Sequence, residues 1–144
     1  MSHGRPDFFG TPIHPRYGTA RSEFETPAAD SRVFYPLITV NAKGLAVGGV
    51  IRTIDPDSAI GDLIYIDIDG ERAAVCSWAE LMHQQYVVGL PFPLVILIYD
   101  VDTPQFNCGI GVELPFENQI IIGYYVAGLN PVTLACRLTY YDLE

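Results

Sequence analysis

A single antiparallel β-sandwich of about eight strands, all-β apart from one short helix insertion and preceded by an extended N-terminal arm, is the fold class this sequence predicts. Three observations predict it. From residue 33 onward, short runs of β-branched and aromatic residues are separated by Gly, Pro, Asn and Asp. Two of those runs, around 106–114 and 131–141, alternate between apolar and polar positions, as a strand with one wet face does. Only one stretch, residues 77 to 88, carries a helical stripe. The length of 144 residues suits one domain with a sizeable core, and 49% apolar against 17% charged residues excludes a disordered body.

The elements follow in chain order. Residues 1 to 31 hold Gly4, Pro6, Gly10, Pro12, Pro15, Gly18 and Pro27 among isolated aromatics, with no period of 2 or 3.6. They read as an extended arm, with residues 32 to 144 as the sandwich domain. Fully extended, about 30 residues reach on the order of 100 Å, farther than the width of one small domain. A neighbouring subunit is therefore the expected surface for the arm, with Phe8, Phe9, Ile13, Tyr17 and Phe24 as its anchors.

Strands are expected near 33–41, 45–54, 62–69, 71–76, 93–101, 106–114, 119–127 and 131–141. Pro36 confines the first to an edge or a bulge, because it has no N–H to give a ladder. Asp69-Gly70 joins the third and fourth as a tight hairpin. The helix over 77–88 starts with Ser77 and Glu80 at capping-box spacing, turns Trp78, Leu81, Met82 and Tyr86 to one side, and ends at Gly89 and Pro91. Leu94 to Tyr99 and Ile120 to Val126 are apolar at nearly every position, so both faces of each strand need cover. One short helix shields a single face, which makes a partner chain the expected cover for the rest.

Seventeen acidic residues against eight basic ones, with Lys43 the only lysine, give a net charge of -9 and disfavour nucleic-acid binding. No run of about 20 apolar residues could cross a membrane, and nothing resembles a signal peptide. Cys76, Cys108 and Cys136 are too scattered for a disulfide framework or a zinc pair and read as small buried thiols in a protein made soluble in a reducing compartment.

Catalytic motifs for nucleophilic elbows, phosphate loops, zinc or dinucleotides are absent from the sequence. His83 is the one histidine beyond the arm, so a cupin-like metal centre lacks ligands, and His83 itself reads as a solvated helix residue. Asp100 and Asp102 stand two apart at a strand end, the placement of paired glycosidase carboxylates or calcium ligands, but also of ordinary turn caps. The same choice applies to Asp67, Asp69 and Glu71 around Gly70 and to Asp55 and Asp57 around Pro56. Turn capping is the expectation for all three sets, and no metal, cofactor or catalytic residue is expected. Tyr124, Tyr125, Tyr140 and Tyr141 on the last strands are expected at an oligomer interface, with a carbohydrate site as the lesser alternative.

The order GDLIYIDIDGE (61–71), SWAELM (77–82), PLVILIYDVD (93–102), GIGVELPFENQIIIGYYV (109–126) and TLACRLTYYDLE (133–144) resembles the jelly-roll β-sandwich of viral and bacteriophage structural proteins. In that group an L-P-F-type turn, here Leu114, Pro115 and Phe116, leads into a strongly apolar strand, and the chain closes on a Tyr-rich one. The resemblance covers about residues 45 to 144 and leaves the arm unmatched. It implies a non-enzymatic virion component, assembled in the host cytoplasm: a minor capsid, decoration, collar or fibre-base subunit. The expected partners are its own copies, as a trimer or higher ring, and other virion proteins such as a major capsid protein. The alternative is a glycan- or receptor-binding module of a tail or fibre.

Overall fold

The computed structural model describes residues 13–14, 18–84 and 92–143. Its strands are β1 (Ile13–His14), β2 (Gly18–Thr19), β3 (Arg21–Glu25), β4 (Ala28–Ala29), β5 (Phe34–Val40), β6 (Gly44–Thr53), β7 (Leu63–Ile68) and β8 (Glu71–Ser77). Helix α1 (Trp78–Gln84) follows, then β9 (Leu94–Asp100), β10 (Gln105–Ile110), β11 (Leu114–Phe116), β12 (Ile120–Tyr125), β13 (Val132–Thr133) and β14 (Ala135–Asp142).

Two antiparallel sheets form the sandwich. The first runs β3-β14-β6-β10-β9, with β11 on the end of β6, and the second runs β5-β12-β7-β8. Set β9 and the shortest strands aside, and eight strands remain. In chain order, the first, eighth, third and sixth then make one sheet, and the second, seventh, fourth and fifth make the other. Successive strands wrapped between two sheets in this way give the jelly-roll order. The expected sandwich class is the observed one, with β9 added as an outer strand.

Each element has a local cause. The Asp69-Gly70 turn joins β7 to β8 with φ of 53° and 85°, the double positive values of a tight hairpin that glycine tolerates best. Pro36 lies on β5, an edge strand, and the register against β12 slips there between Ile38 and Pro36, so edge and bulge occur together. The capping box forms: Ser77 N–H donates to Glu80 Oε1 at 2.8 Å, and Glu80 N–H donates to Ser77 Oγ at 3.1 Å. Trp78 and Leu81 bury their side chains, so α1 lays its apolar stripe on the core beside β9. Tyr86, Gly89 and Pro91, expected at the end of the helix, lie outside the described residues.

The core fills the space between the sheets with alternate residues. Ile64, Ile66, Ile120, Ile122 and Tyr124 point in from the second sheet, and Ile51, Phe106, Cys108, Cys136 and Leu138 from the first. Trp78 stacks on Phe106 with ring centroids 5.4 Å apart.

Three expectations need correction. The arm drawn over residues 1 to 31 is shorter, because β3 pairs with β14, β4 pairs with β13 and Ala29 is fully buried. All five residues of β3 are exposed, so this edge strand has no buried face and shows no period in the sequence. The strand expected over 106–114 stops at Ile110, and Leu114–Phe116 forms a separate segment on β6. The strand expected over 131–141 is broken at Leu134, a core residue between β13 and β14.

Candidate functional site

The aspartates are occupied by backbone. Asp100 accepts from Thr103 Oγ1 at 2.8 Å, Thr103 N–H at 3.2 Å and Asp102 N–H at 3.1 Å, and these bonds hold its carboxyl below the usual range. Asp69 accepts from the N–H groups of Asn118, Glu117 and Gln119, which lower its pKa and tie the β7–β8 turn to the turn before β12. Asp55 caps Asp57 N–H at 2.9 Å and takes Thr133 N–H at 2.8 Å. Asp67 pairs with Arg72. Among the described residues no group of three or more His, Cys, Asp or Glu is placed to hold a metal ion. Turn capping accounts for Asp55, Asp69 and Asp100.

The buried polar groups are also structural. Asp62 Oδ2 accepts from Tyr124 Oη at 2.7 Å and from Ala59 N–H at 3.1 Å, Oδ1 accepts from Ala127 N–H at 2.9 Å, and Trp78 Nε1 donates to Tyr124 Oη at 2.8 Å. The sequence marks none of this, because Asp62 reads as one more turn aspartate. Burial raises the Tyr124 hydroxyl far above its ordinary value. Cys76, Cys108 and Cys136 are buried and free, and burial pushes Cys76 up to about 12 and Cys136 up to about 11, so neither is a ready nucleophile. His83 is exposed on α1.

The four tyrosines expected at an interface divide. Tyr124, Tyr140 and Tyr141 are buried within their own chain, which removes them from any outer surface. Adjacent residues of a strand point to opposite faces, so Tyr124 enters the core while Tyr125 lies outside, 4.8 Å from the Phe34 ring. Of the expected arm anchors, Phe8, Phe9 and Tyr17 lie outside the described residues, as does the side chain of Ile13, although its backbone pairs in β1. Phe24 is 53% exposed on β3, with the Arg137 guanidinium 5.2 Å from its ring.

The outward faces of the two sheets differ. On the second, Tyr65 lies over Gly123, Phe34 meets Tyr65 edge-on at 5.3 Å, and Arg72 sits 4.4 Å and 4.5 Å from those two rings. The outward side of β12 is thereby partly covered by its own chain around Gly123, while Phe34 and Val75 on the flanking strands stay 46% and 43% exposed.

The first sheet has no such cover over β9. Val95, Leu97 and Ile98 are 47%, 58% and 43% exposed. The register against β10 slips between Ile98 and Ile96, and the extra residue, Leu97, leans over Gly109. Beside Ile98 is a depression of about 270 Å³ lined by Arg52, Ile54, Gln105 and Asn107 among others, and Asn107 Oδ1 is buried there without a hydrogen-bond partner. Neither Asp100 nor Asp102 lines it. The candidate site is therefore an exposed face: aliphatic on β9, with two arginines, Arg52 and Arg137, on the strands beyond.

Fold and face together define an all-β jelly-roll sandwich with an exposed aliphatic edge strand, β9. No protein-family model matches the chain, and no curated protein matches it. Among the described residues no helix is long and apolar enough to cross a membrane.

Proposed function

We propose that this chain is a non-enzymatic structural subunit of a virus or phage particle, which oligomerises and docks on other particle proteins through sheet faces and its N-terminal segment. The observation that carries the reading is the exposed aliphatic surface of β9 on a jelly-roll sandwich. Contiguous exposed apolar residues favour interaction sites, and burying each of these side chains contributes roughly 1–2 kcal/mol toward association. The strand order supports the class, since it is the order of the particle proteins that the sequence resembles. The work of such a subunit is binding, driven by apolar burial and by ordering of a leading segment on its neighbour.

Light scattering of the purified chain, followed by reconstitution with particles, tests this. A mass of three or more copies is expected. Removing residues 1–12, ahead of the first described strand, should abolish incorporation while leaving the sandwich folded. A monomer at all concentrations, or normal incorporation of the truncated chain, overturns the reading. Specific binding on a glycan array by a monomer transfers the face to the receptor-module alternative.

A further inference from the structure

We propose that the outer face of the five-stranded sheet, around Arg52, Arg137 and Leu97, receives the Asp57 and Asp102 turns of a second copy in a head-to-tail contact. This rests on the assembly reading above and assigns its surfaces.

Charge places the contact. In a chain with 17 acids and eight basic residues, Arg52 and Arg137 occupy outward positions on adjoining strands, where Arg52 pairs with Ala135 and Arg137 with Val50. Following the alternation across β3, β14, β6, β10 and β9, the one acid at an outward position among the described residues is Asp100, on the edge strand opposite Gln105 and bonded into its own turn. The ion pairs among the described residues are Arg21–Asp142, Lys43–Glu117 and Arg72–Asp67, so among the described residues neither face arginine pairs with an acid. The turns after β6 and β9 hold the complement. Asp57 and Asp102 are exposed there, and neither forms an ion pair among the described residues.

Size and shape agree. Five strands about 4.8 Å apart and six residues long give a footprint of roughly 20 by 20 Å. Once corrugated by side chains, this approaches the ~800 Å² per partner of a standard interface. Gly48 leaves the floor low, Leu97 and Ile98 provide an apolar rim, and the depression beside Arg52 gives the incoming turn a place to seat. A two-fold contact of this face with itself would set arginine against arginine. Joining the face to the acidic turns is favourable and heterologous, and a heterologous contact builds a ring where its rotation closes and a filament where it does not.

Charge reversal and mixing test the assignment, with light scattering for mass and circular dichroism for the fold. R52E/R137E and D57K/D102K alter exposed side chains, so each variant should stay folded. Each should lose the oligomer, with at least a tenfold weaker association, and high salt should weaken the wild-type assembly in the same direction. Mixed in equal amounts, the two variants should associate again, because each supplies the reversed partner of the other. An oligomer that survives either reversal, or a mixture that stays dissociated, overturns this contact while leaving the assembly reading intact. A wild-type chain that is monomeric throughout overturns both.

Discussion

The outer faces of the two sheets are built on runs of similar sequence and end in opposite states. Ile120–Tyr125 occupies an inner position between β5 and β7, and its outward side lies among Tyr65, Phe34 and Tyr125. Leu94–Asp100 is the outermost strand of its sheet, and its outward side is solvent. Apolar content alone does not decide which strand is exposed; position in the sheet and the aromatic residues of neighbouring strands do. The aromatic cover around Gly123 contributes to folding stability, while Val95, Leu97 and Ile98 remain 47%, 58% and 43% exposed.

This contrast can be broken or sharpened by substitution, starting with the change of largest effect. Tyr65→Ala removes the ring that Gly123, Phe34 and Arg72 share, and should lower stability by about 3 kcal/mol or more in denaturant unfolding. A loss below about 1 kcal/mol would mean that the second sheet does not depend on its aromatic cover.

Gly123→Ala places a methyl group into the Tyr65 ring and should cost roughly 1–3 kcal/mol. Gly48→Ala, on the open face with nothing near its Cβ, should stay within about 0.5 kcal/mol. Equal costs at the two glycines, measured as shifts in Tm, would erase the distinction between the faces.

Asp69 gives a pH-dependent comparison. Its folded carboxyl is held low by the N–H groups of Asn118, Glu117 and Gln119, so its contribution is present above the unfolded value of about 3.9 and fades as pH falls through the lower folded value. Asp69→Asn should therefore lower Tm at neutral pH, with the gap to wild type narrowing below about pH 4. A gap that is constant with pH would show that the charge is not what joins the two turns.

The smallest expected effect is Leu97→Thr, which should leave monomer stability within about 0.5 kcal/mol because the side chain is largely in water. Its effect should appear in oligomer mass instead. A large loss of monomer stability would place Leu97 in the core's economy and not on a docking face.

Much of the fold is legible in the residues. Pro36, Asp69-Gly70 and the Ser77/Glu80 box each state a local backbone requirement, and each sits where that requirement is met. The strand periods of 34–40, 44–53, 63–68 and 71–77 follow from alternation or from β-branched content. What the sequence hides is long-range. β3 has no buried face, so only its pairing with β14, more than 100 residues away, reveals it as a strand. The cover of Gly123 by Tyr65 is equally silent, since it depends on two strands meeting in one register. The site was the least legible part. Tyrosine enrichment pointed to two pairs of which the period of two sends one member each, Tyr124 and Tyr140, into the core, while the β9 face is made of aliphatics and two arginines that look ordinary in order along the chain.

Pro36 and the bulge beside it carry a last consequence. The lateral margin of β5 offers a newcomer no N–H at Pro36, and the slipped register around Leu37 bends the strand away from a flat template. That flank is blunted against zippering, so two molecules meeting along it do not fuse edge to edge into amyloid-like ribbons.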